Sequence, residues 1–438
     1  MKFRPSFLKG FPSKHPNPRL QTPWNFAQWG LLIFPLATSV GAIGIAFALL
    51  SVLRRQYSTI TQRRLNWGFA ILGVWLLVSC SLSVNPYDAF AGLLGSLLPF
   101  FFLFAAFSVL IQTPNQLRQL AWILVLPSVP LILLGFGQLF WGWAAPHALQ
   151  SIFGWMLEPQ GSPVGRMASV FMHANLLGAY LQTIFILALG LWIEEFKTRT
   201  LRVGNFSSIY KIGFLSLVLM GCTSALILTN SRNAWGLTLL SCLAFAIYQG
   251  WRWLVAMVVG VAGSVLGAAY APPPLQQGLR AIVPPYFWIR LTSQFYSDRP
   301  PTHLRVNQWK FAWWMTQQRP LQGWGLRSFA EVYEAHTQVW FGHPHNLFLM
   351  LSAETGIFTT LLLYGLVGWI MAQGVLLLIH YPSEEKQERL ILFTYIVAFA
   401  GCTLFNLVDV TLFDLRLNVL FWLLLSAIFG VVYHKRAQ

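Results

Sequence analysis

Gly342-His-Pro-His-Asn346 ends the long polar segment at residues 271–345, which opens with Ala271-Pro-Pro-Pro-Leu275. A long apolar run begins directly after it, and a series of apolar runs precedes it. Runs of about 20 apolar residues are long enough to cross a bilayer as helices. The contrast predicts a helix bundle in the membrane, with this polar segment, here called the island, covering its outer mouth.

The composition is that of an integral membrane protein. Of the 438 residues, 56% are hydrophobic and 10% are charged, and the mean hydropathy is +0.58. Soluble domains carry about 25% charged residues. The apolar runs are continuous and do not alternate, which favours helices over a barrel. The net charge of +16 lies mostly in short segments between the runs, so we expect contact with membrane lipid and no nucleic-acid partner.

The distribution of Lys and Arg predicts about twelve spans with both termini in the cytoplasm. The apolar run 27–53 has basic residues on both sides, so we interpret it as a hairpin that turns near Ser39-Val40-Gly41, with a single span as the alternative. The predicted organisation is a basic cytoplasmic tail at 1–26, a first part of the bundle at 27–270, the island as a periplasmic loop at 271–345, a second part of the bundle at 346–433, and a cytoplasmic tail at 434–438.

Two short helices are predicted within the island. Residues 304–317 have helical spacing and several Trp side chains, which is typical of a helix at the membrane interface. Residues 328–337 could form the second helix. The later spans are predicted at 167–193, at 346–379 and at 409–432.

Several chemistries lack their sequence signatures. The chain has no Walker A motif, dinucleotide glycine fingerprint, HExxH or Asp-x-Asp. The four cysteines lie in apolar stretches without metal-type spacing and are predicted to be core residues: Cys80, Cys222, Cys242 and Cys402. We therefore expect neither a cofactor nor a bound metal.

Three residues on the predicted outer side could do chemistry. A histidine can remove a proton from an attacking hydroxyl, so His345 is a candidate general base. A solvated or structural histidine is the alternative, and His343 is its competitor. Arg232 and Arg305 could bind an anionic group, since guanidinium makes bidentate contacts to phosphate oxygens. Snorkelling or a solvated helix face is the alternative for each arginine.

Other polar residues are weaker candidates for the functional site. Asn346 is predicted to cap the helix that follows His345. Arg166 also falls on the outer side. Arg416 lies with Asp409 and Asp414 at the mouth of the last span, where the three are predicted to form an ion pair inside the bundle.

Four pieces of the chain resemble the O-antigen ligase and O-antigen polymerase superfamily of bacterial envelope glycosyltransferases. They are Arg166-Met-Ala-Ser-Val-Phe-Met-His-Ala-Asn175, Thr229-Asn-Ser-Arg232-Asn-Ala-Trp235, Arg305-Val-Asn-Gln-Trp309 with Pro320-Leu-Gln-Gly-Trp-Gly325, and His345-Asn346 with Glu354-Thr-Gly356. Together they cover residues 165–360 in the family's order. The chain departs from the family pattern at Asn233-Ala234 and at His173-Ala174.

The resemblance implies an all-α, polytopic bundle of the GT-C type with one large periplasmic loop. It implies a metal-independent, inverting transfer of a glycan from undecaprenyl diphosphate to a lipid A–core acceptor, at the periplasmic face of the bacterial inner membrane. His345 would be the general base, and Arg232 and Arg305 would bind the diphosphate. Asn175, in the first piece, and Glu354, in the last, would support the site.

Three other functions remain open. An O-antigen polymerase or a protein O-oligosaccharyltransferase of the same superfamily would use the same donor with a different acceptor. A membrane transporter related to inorganic carbon uptake belongs to a different class. A transporter is expected to hold its polar groups near the bilayer midplane, whereas the candidate residues here lie at the outer mouth.

Overall fold

The computed structural model describes residues 11–201, 206–292, 303–382 and 384–437. These residues form helices and loops without a strand, as the all-helical prediction requires. The first eleven helices are α1 Gln21–Ile33, α2 Thr38–Arg55, α3 Tyr57–Gln62, α4 Arg64–Ser81, α5 Pro86–Ser96, α6 Leu98–Leu110, α7 Pro114–Val125, α8 Ser128–Phe140, α9 His147–Phe153, α10 Ala174–Leu201 and α11 Phe206–Thr229. The others are α12 Arg232–Gln249, α13 Arg252–Tyr270, α14 Pro273–Ile282, α15 Pro285–Leu291, α16 Arg305–Gln318, α17 Ser328–Thr337, α18 Leu347–Thr355, α19 Ile357–His380, α20 Lys386–Phe405 and α21 Leu415–Ala437.

The described chain has ten helical segments that are long and apolar enough to cross a membrane, so the protein is a multi-pass membrane protein. They are α2, α4, α5 with α6, α7 with α8, α10, α11, α13, α19, α20 and α21. The prediction of about twelve spans also counted α1 and α12. Helix α1 has only 13 residues, and α12 begins with Arg232-Asn233, which lowers its apolarity.

Helices α10 and α21 form the centre of the bundle. Within the spans, 89% of α21 and 78% of α10 are buried, against 17% of α13. Helix α21 is apolar on every face, as a helix enclosed by other helices must be. Its Trp422 packs against Phe69 and Phe101, which come from the earlier helices α4 and α6. The ends of α10 and α21 are therefore held by a large apolar core.

Helices α1 and α2 form the predicted hairpin. Arg55 Nη1 donates to the Arg19 carbonyl at 3.2 Å, which brings the two flanks to the same end of the bundle. The chain turns at 34–37, not near 39–41, since α2 already begins at Thr38. The helices approach closely because Gly30 has no side chain: a Cβ there would lie 2.8 Å from the Ile45 nitrogen.

The island forms short helices against the bundle. Helices α16 and α17 are those predicted at 304–317 and 328–337, and α14 and α15 precede them. The predicted single run 346–379 is wrong, because the helix breaks at Gly356, whose φ is +85°. A Cβ at Gly356 would collide with the Leu321 carbonyl oxygen, so the island packs directly against this break.

Two other predicted spans begin too early. Helix α10 starts at Ala174 and not at 167, and α21 starts at Leu415 and not at 409. The segments 167–173 and 406–414 are irregular, although both contain buried apolar residues. Both loops lie at the same end of the bundle, which also holds the candidate site.

Candidate functional site

Asp409, in the loop between α20 and α21, lies at the centre of the site. Its Oδ1 is 2.9 Å from His345 Nδ1, and its Oδ2 accepts a hydrogen bond from Asn175 Nδ2 at 2.7 Å. Arg305 Nη2 lies 3.8 Å from the same Oδ2. Asp409 is only 4% exposed. One buried carboxylate thus joins the starts of α10 and α16 to the histidine that precedes α18.

The charge of Asp409 fixes the tautomer of His345. Burial alone would raise the pKa of Asp409, but the hydrogen bond from His345 and the charges of His345, His343 and Arg305 hold this pKa well below its ordinary value. An ionised carboxylate can only accept hydrogen bonds, so His345 Nδ1 must carry the proton and donate it to Asp409. This leaves His345 Nε2 with the lone pair that a general base needs.

Local structure fixes where His345 lies. Asn346 caps α18, as predicted: its Oδ1 accepts from Leu349 N at 3.0 Å. Asn346 Nδ2 also donates to the Leu407 carbonyl at 2.8 Å, which ties the start of α18 to the Asp409 loop. His345 itself has a φ of +54°, in the left-handed region that few non-glycine residues adopt.

A histidine precedes each of the two side-chain hydrogen-bond donors to Asp409 by two residues, while Val410 N also donates to Oδ1 at 2.9 Å. His343 Nδ1 accepts from His345 N at 3.2 Å, and His173 Nδ1 accepts from Asn175 N at 3.1 Å. Burial, and to a smaller extent the neighbouring His345, lower the pKa of His343 to about 4. Burial and the charge of Arg166 also lower the pKa of His173. Both rings are therefore neutral at pH 7 and can accept.

Arg166 holds Asn175 in place. Its Nη2 donates to Asn175 Oδ1 at 2.6 Å, and its Nε donates to the Thr229 carbonyl at 2.8 Å. Because these bonds direct two guanidinium nitrogens at protein acceptors, Arg166 connects the end of α11 to the start of α10.

Arg232 and Arg305 are the first residues of α12 and α16. The side chain of Arg305 is 37% exposed, and Arg232 is also exposed. Next to Arg232, Asn233 Nδ2 donates to the Val408 carbonyl at 3.5 Å, which ties the start of α12 to the Asp409 loop. The N-termini of α10, α12, α16 and α18 thus surround one loop, and helix N-termini favour anions.

Two residues that were predicted to support the site connect segments of the fold. Glu354 Oε1 accepts from Phe329 N at 3.2 Å, so it links α18 to the start of α17 in the island. Arg416 Nε donates to the Pro35 carbonyl at 3.0 Å, and its Nη2 donates to the Gly154 carbonyl at 2.9 Å. Its Nη1 lies 3.9 Å from Asp414, as predicted. The predicted membership of Asp409 in this ion pair is wrong, because Asp409 contacts His345.

Sequence reasoning missed the roles of Asp409 and His173. Asp409 is an acidic residue in a strongly apolar stretch of a chain with only 13 acidic residues, which by itself was a signal. The spacing His173-x-Asn175 repeats that of His343-x-His345, which was the second signal.

His343, His345 and Asp409 could also offer ligands to a metal ion. Each has one ligand atom within 4.8 Å of the others. Two imidazoles and a carboxylate suit several divalent transition metals. However, Arg305 beside Asp409 opposes a further positive charge, and Asn175 already donates to the second carboxylate oxygen.

An apolar groove lies beside the site. It is lined mainly by residues of α18, α19 and α21, such as Leu351, Tyr364 and Phe421. Leu347 and Asn406 line the groove and join through a 2.8 Å hydrogen bond from the Leu347 nitrogen to the Asn406 carbonyl. Along the chain, Leu347 is two residues from His345 and Asn406 is three residues from Asp409, so the groove lies close to the site.

Comparison with known proteins identifies a family domain in the second half of the chain. No curated protein matches the chain. Residues 215–364 match the family model described as O-antigen ligase. The matched segment contains Arg232, Arg305 and His345, whereas Asn175 and Asp409 lie outside it. The match confirms, over residues 215–364, the resemblance that the motifs indicate.

Proposed function

We propose that the protein is an O-antigen ligase-type glycosyltransferase, which moves a glycan from undecaprenyl diphosphate to a lipid A–core acceptor at the periplasmic face of the bacterial inner membrane. The observation that carries this proposal is the His345–Asp409 pair at 2.9 Å, with Arg305 beside it, in a chain with an O-antigen ligase domain. The glycosyl diphosphate is already activated, so the site needs a base for the nucleophile and cations for the leaving group.

The reaction is a single displacement. His345 Nε2 takes the proton of the acceptor hydroxyl as its oxygen attacks the anomeric carbon of the donor sugar. The bond from that carbon to the diphosphate breaks, the diphosphate keeps the electron pair, and the configuration inverts. Asp409 stabilises the imidazolium that forms and keeps Nδ1 protonated throughout. No metal is needed for any of these steps.

The leaving diphosphate requires positive charge, and two features supply it. Arg305 and Arg232 begin α16 and α12 and have exposed side chains beside the Asp409 loop. Four helix N-termini surround the same loop, and their partial positive charges add to those of the arginines. Preorganised charge of this kind acts most strongly on the transition state, where the diphosphate gains its charge.

The apolar groove suits the donor's lipid. An undecaprenyl chain must lie in apolar surroundings while its diphosphate reaches the arginines. The groove begins two residues from His345 and is walled by Leu351, Tyr364 and Phe421. These apolar walls suit an isoprenoid chain.

The charge distribution supports a periplasmic site. Helix α10 begins beside Asp409, and its other end holds Glu194 and Glu195, which pair with Arg118 and Lys211. Helix α21 likewise begins after the Asp409 loop and ends with His434-Lys-Arg436. The end opposite the site is therefore rich in Lys and Arg, and the positive-inside rule assigns that end to the cytoplasm.

A reconstituted transfer assay tests the proposal. The purified protein in liposomes receives undecaprenyl diphosphate-linked glycan and lipid A–core, and both glycan transfer and undecaprenyl diphosphate release are measured. His345→Ala should lower kcat by about 10²–10⁴-fold, because a general base contributes that factor. His147→Ala, at an exposed position on α9, is the matched control and should keep the wild-type rate.

The same assay separates the alternatives. Transfer to a second glycan, or to a protein, instead of lipid A–core would replace the ligase by a polymerase or a protein O-oligosaccharyltransferase. Absence of any transfer by the wild-type protein, or full activity of His345→Ala, would overturn the proposed function. A chelator should leave the rate unchanged, and a loss that added metal restores would assign His343, His345 and Asp409 to a metal.

A further inference from the structure

The two segments that hold Asp409 share one local structure. In His173-Ala-Asn175 and in His343-Pro-His345, the ring Nδ1 of the first residue accepts a hydrogen bond from the backbone nitrogen two residues later. The later residue then donates its side-chain hydrogen bond to Asp409. Asn175 takes Oδ2 and His345 takes Oδ1, so each segment supplies one donor to one oxygen of the same carboxylate.

We infer that His173 and His343 are a pair of positioning residues, whose turns direct Asn175 and His345 onto the two oxygens of Asp409. The inference rests on the proposed function, since it assigns the pair to the orientation of the proposed base. Neither histidine touches a reacting atom in this assignment. Both act through the backbone of the residue that they hold.

Two turns are needed because a carboxylate can rotate. His345 Nδ1 and Val410 N both bond Oδ1, so without Asn175 only one oxygen of Asp409 would be held. The bond from Asn175 Nδ2 at 2.7 Å holds the other oxygen and so fixes the plane of the carboxylate. Arg166 in turn fixes Asn175 through the 2.6 Å bond to its Oδ1. The direction of His345 Nε2 is therefore determined from both sides of Asp409.

The His343 turn also holds a strained backbone. The φ of His345 is +54°, a left-handed conformation that is unfavourable for a residue with a side chain. The bond from His345 N to His343 Nδ1 compensates for part of this cost. The His343 ring also packs edge-on against the His345 ring at 4.5 Å and stacks on Phe413 at 6.1 Å. Removing the ring therefore frees both the backbone and the imidazole of His345.

A third turn of this kind lies at the other end of the bundle. His15 Nδ1 accepts from Asn17 N at 2.9 Å, and His15 Nε2 bonds the Leu110 carbonyl at 2.9 Å. This turn supports the N-terminal segment and has no contact with Asp409 among the described bonds. It provides a control, because the turn has the same hydrogen bond to the backbone nitrogen but lies at the end of the bundle opposite Asp409.

Substitutions by Ala and by Asn separate a positioning role from a general packing role. Asn at position 173 or 343 can still accept from the backbone nitrogen two residues later, as in an Asx turn, whereas Ala cannot. His343→Ala and His173→Ala should lower kcat by about 10²-fold with little change in KM, since a misplacement of about 1 Å has that effect. His343→Asn and His173→Asn should recover most of the lost kcat. His15→Ala should lower the melting temperature and leave kcat unchanged.

A second measurement does not depend on transfer. Solid-state NMR of ¹⁵N-histidine-labelled wild-type protein, assigned with the Asn variants, reports which ring nitrogen carries the proton. We expect the proton on Nε2 in His173 and His343 and on Nδ1 in His345. Protonated Nδ1 in His173 or His343 would overturn the inference, as would equal kcat values for the Ala and Asn variants. If the wild-type protein has the expected tautomers but no transfer activity, the proposed function is overturned, whereas the role of His173 and His343 in positioning Asn175 and His345 stands.

Discussion

Two buried carboxylates, five residues apart in the loop before α21, have arginine neighbours with different surroundings. Asp414 lies 3.9 Å from Arg416, and both side chains are less than 10% exposed. Asp409 lies 3.8 Å from Arg305, whose side chain is 37% exposed. The two distances are nearly equal, so distance alone does not separate the two pairs.

The other contacts of each arginine distinguish the two Asp–Arg pairs. Arg416 donates to the carbonyls of Pro35 and Gly154, which connect α21 to the α1–α2 turn and to the end of α9. A buried arginine that binds backbone carbonyls of several segments stabilises the packing of those segments. Arg305 begins a helix beside other helix N-termini, and its exposed side chain can reach a ligand. We therefore expect Arg416 to act in folding and Arg305 in binding.

Matched Asp→Asn substitutions should give the largest difference. Asp409→Asn should lower kcat by about 10²–10⁴-fold, because an amide can no longer stabilise the imidazolium or hold the His345 tautomer. Asp414→Asn still accepts from Leu417 N through its oxygen, but it removes the negative charge beside Arg416. We expect this variant to melt at a lower temperature and to keep its kcat once folded.

The kinetic assay and thermal unfolding in detergent measure both variants. A normal kcat for Asp409→Asn would exclude the proposed role of Asp409 in orienting the base. A large loss of kcat for folded Asp414→Asn would show that the comparison between the two carboxylates is wrong.

Matched Arg→Lys substitutions should give a smaller difference. Arg305→Ala removes one donor to the leaving diphosphate, so its kcat should fall by about 10²–10³-fold. Arg305→Lys should recover only part of this loss, since an ammonium cannot make the bidentate contact. Arg416→Lys loses its bonds to several carbonyls and should lower the melting temperature without changing kcat. Equal activity of Arg305→Lys and the wild-type protein would count against bidentate contact with the diphosphate.

The sequence was sufficient for the class of fold and for local features. Apolar run length predicts most spans, and Asn346 caps α18 because a cap depends only on the adjacent residues. The span boundaries at 167 and 409 were wrong because the protein interior is as apolar as lipid. Met167 and Phe171 are buried in an irregular segment, so composition cannot distinguish that segment from a helix.

The irregular segment at 167–173 persists because another helix satisfies its backbone. Gln138, buried in α8, accepts from the backbone nitrogens of Ala168 and Ser169 at 3.0 and 2.8 Å. A non-helical backbone inside a membrane bundle requires such partners. Contacts of this kind, like those of Asp409 with Asn175 and His345, join residues far apart in sequence. Run length and motif spacing contain no information on them.

Glu354 extends the comparison to a buried carboxylate that forms no ion pair among the described residues, and here the smallest effect on kcat is expected. Burial raises the pKa of Glu354 to about 7, although hydrogen bonds from the backbone of Arg327 and Phe329 partly oppose the rise. Between about pH 4.5 and 7, the Glu354 carboxyl is therefore protonated in the folded protein and ionised in the unfolded chain. Stability should therefore fall as pH rises through this window and level off above it.

Glu354→Gln isolates this contribution, because the amide oxygen can still accept from Phe329 N but cannot ionise. Relative to the wild-type protein, the variant should gain on the order of 3 kcal/mol in unfolding free energy as the pH rises from 4.5 to 8. The wild-type protein loses stability over this range, and the variant does not. Thermal unfolding across this range in one detergent measures the change, and kcat at pH 7 should stay close to the wild-type value. A pH-independent difference would mean that Glu354 is ionised in the folded protein, as Asp409 is, and that a buried carboxylate in this bundle needs no adjacent cation to keep its charge.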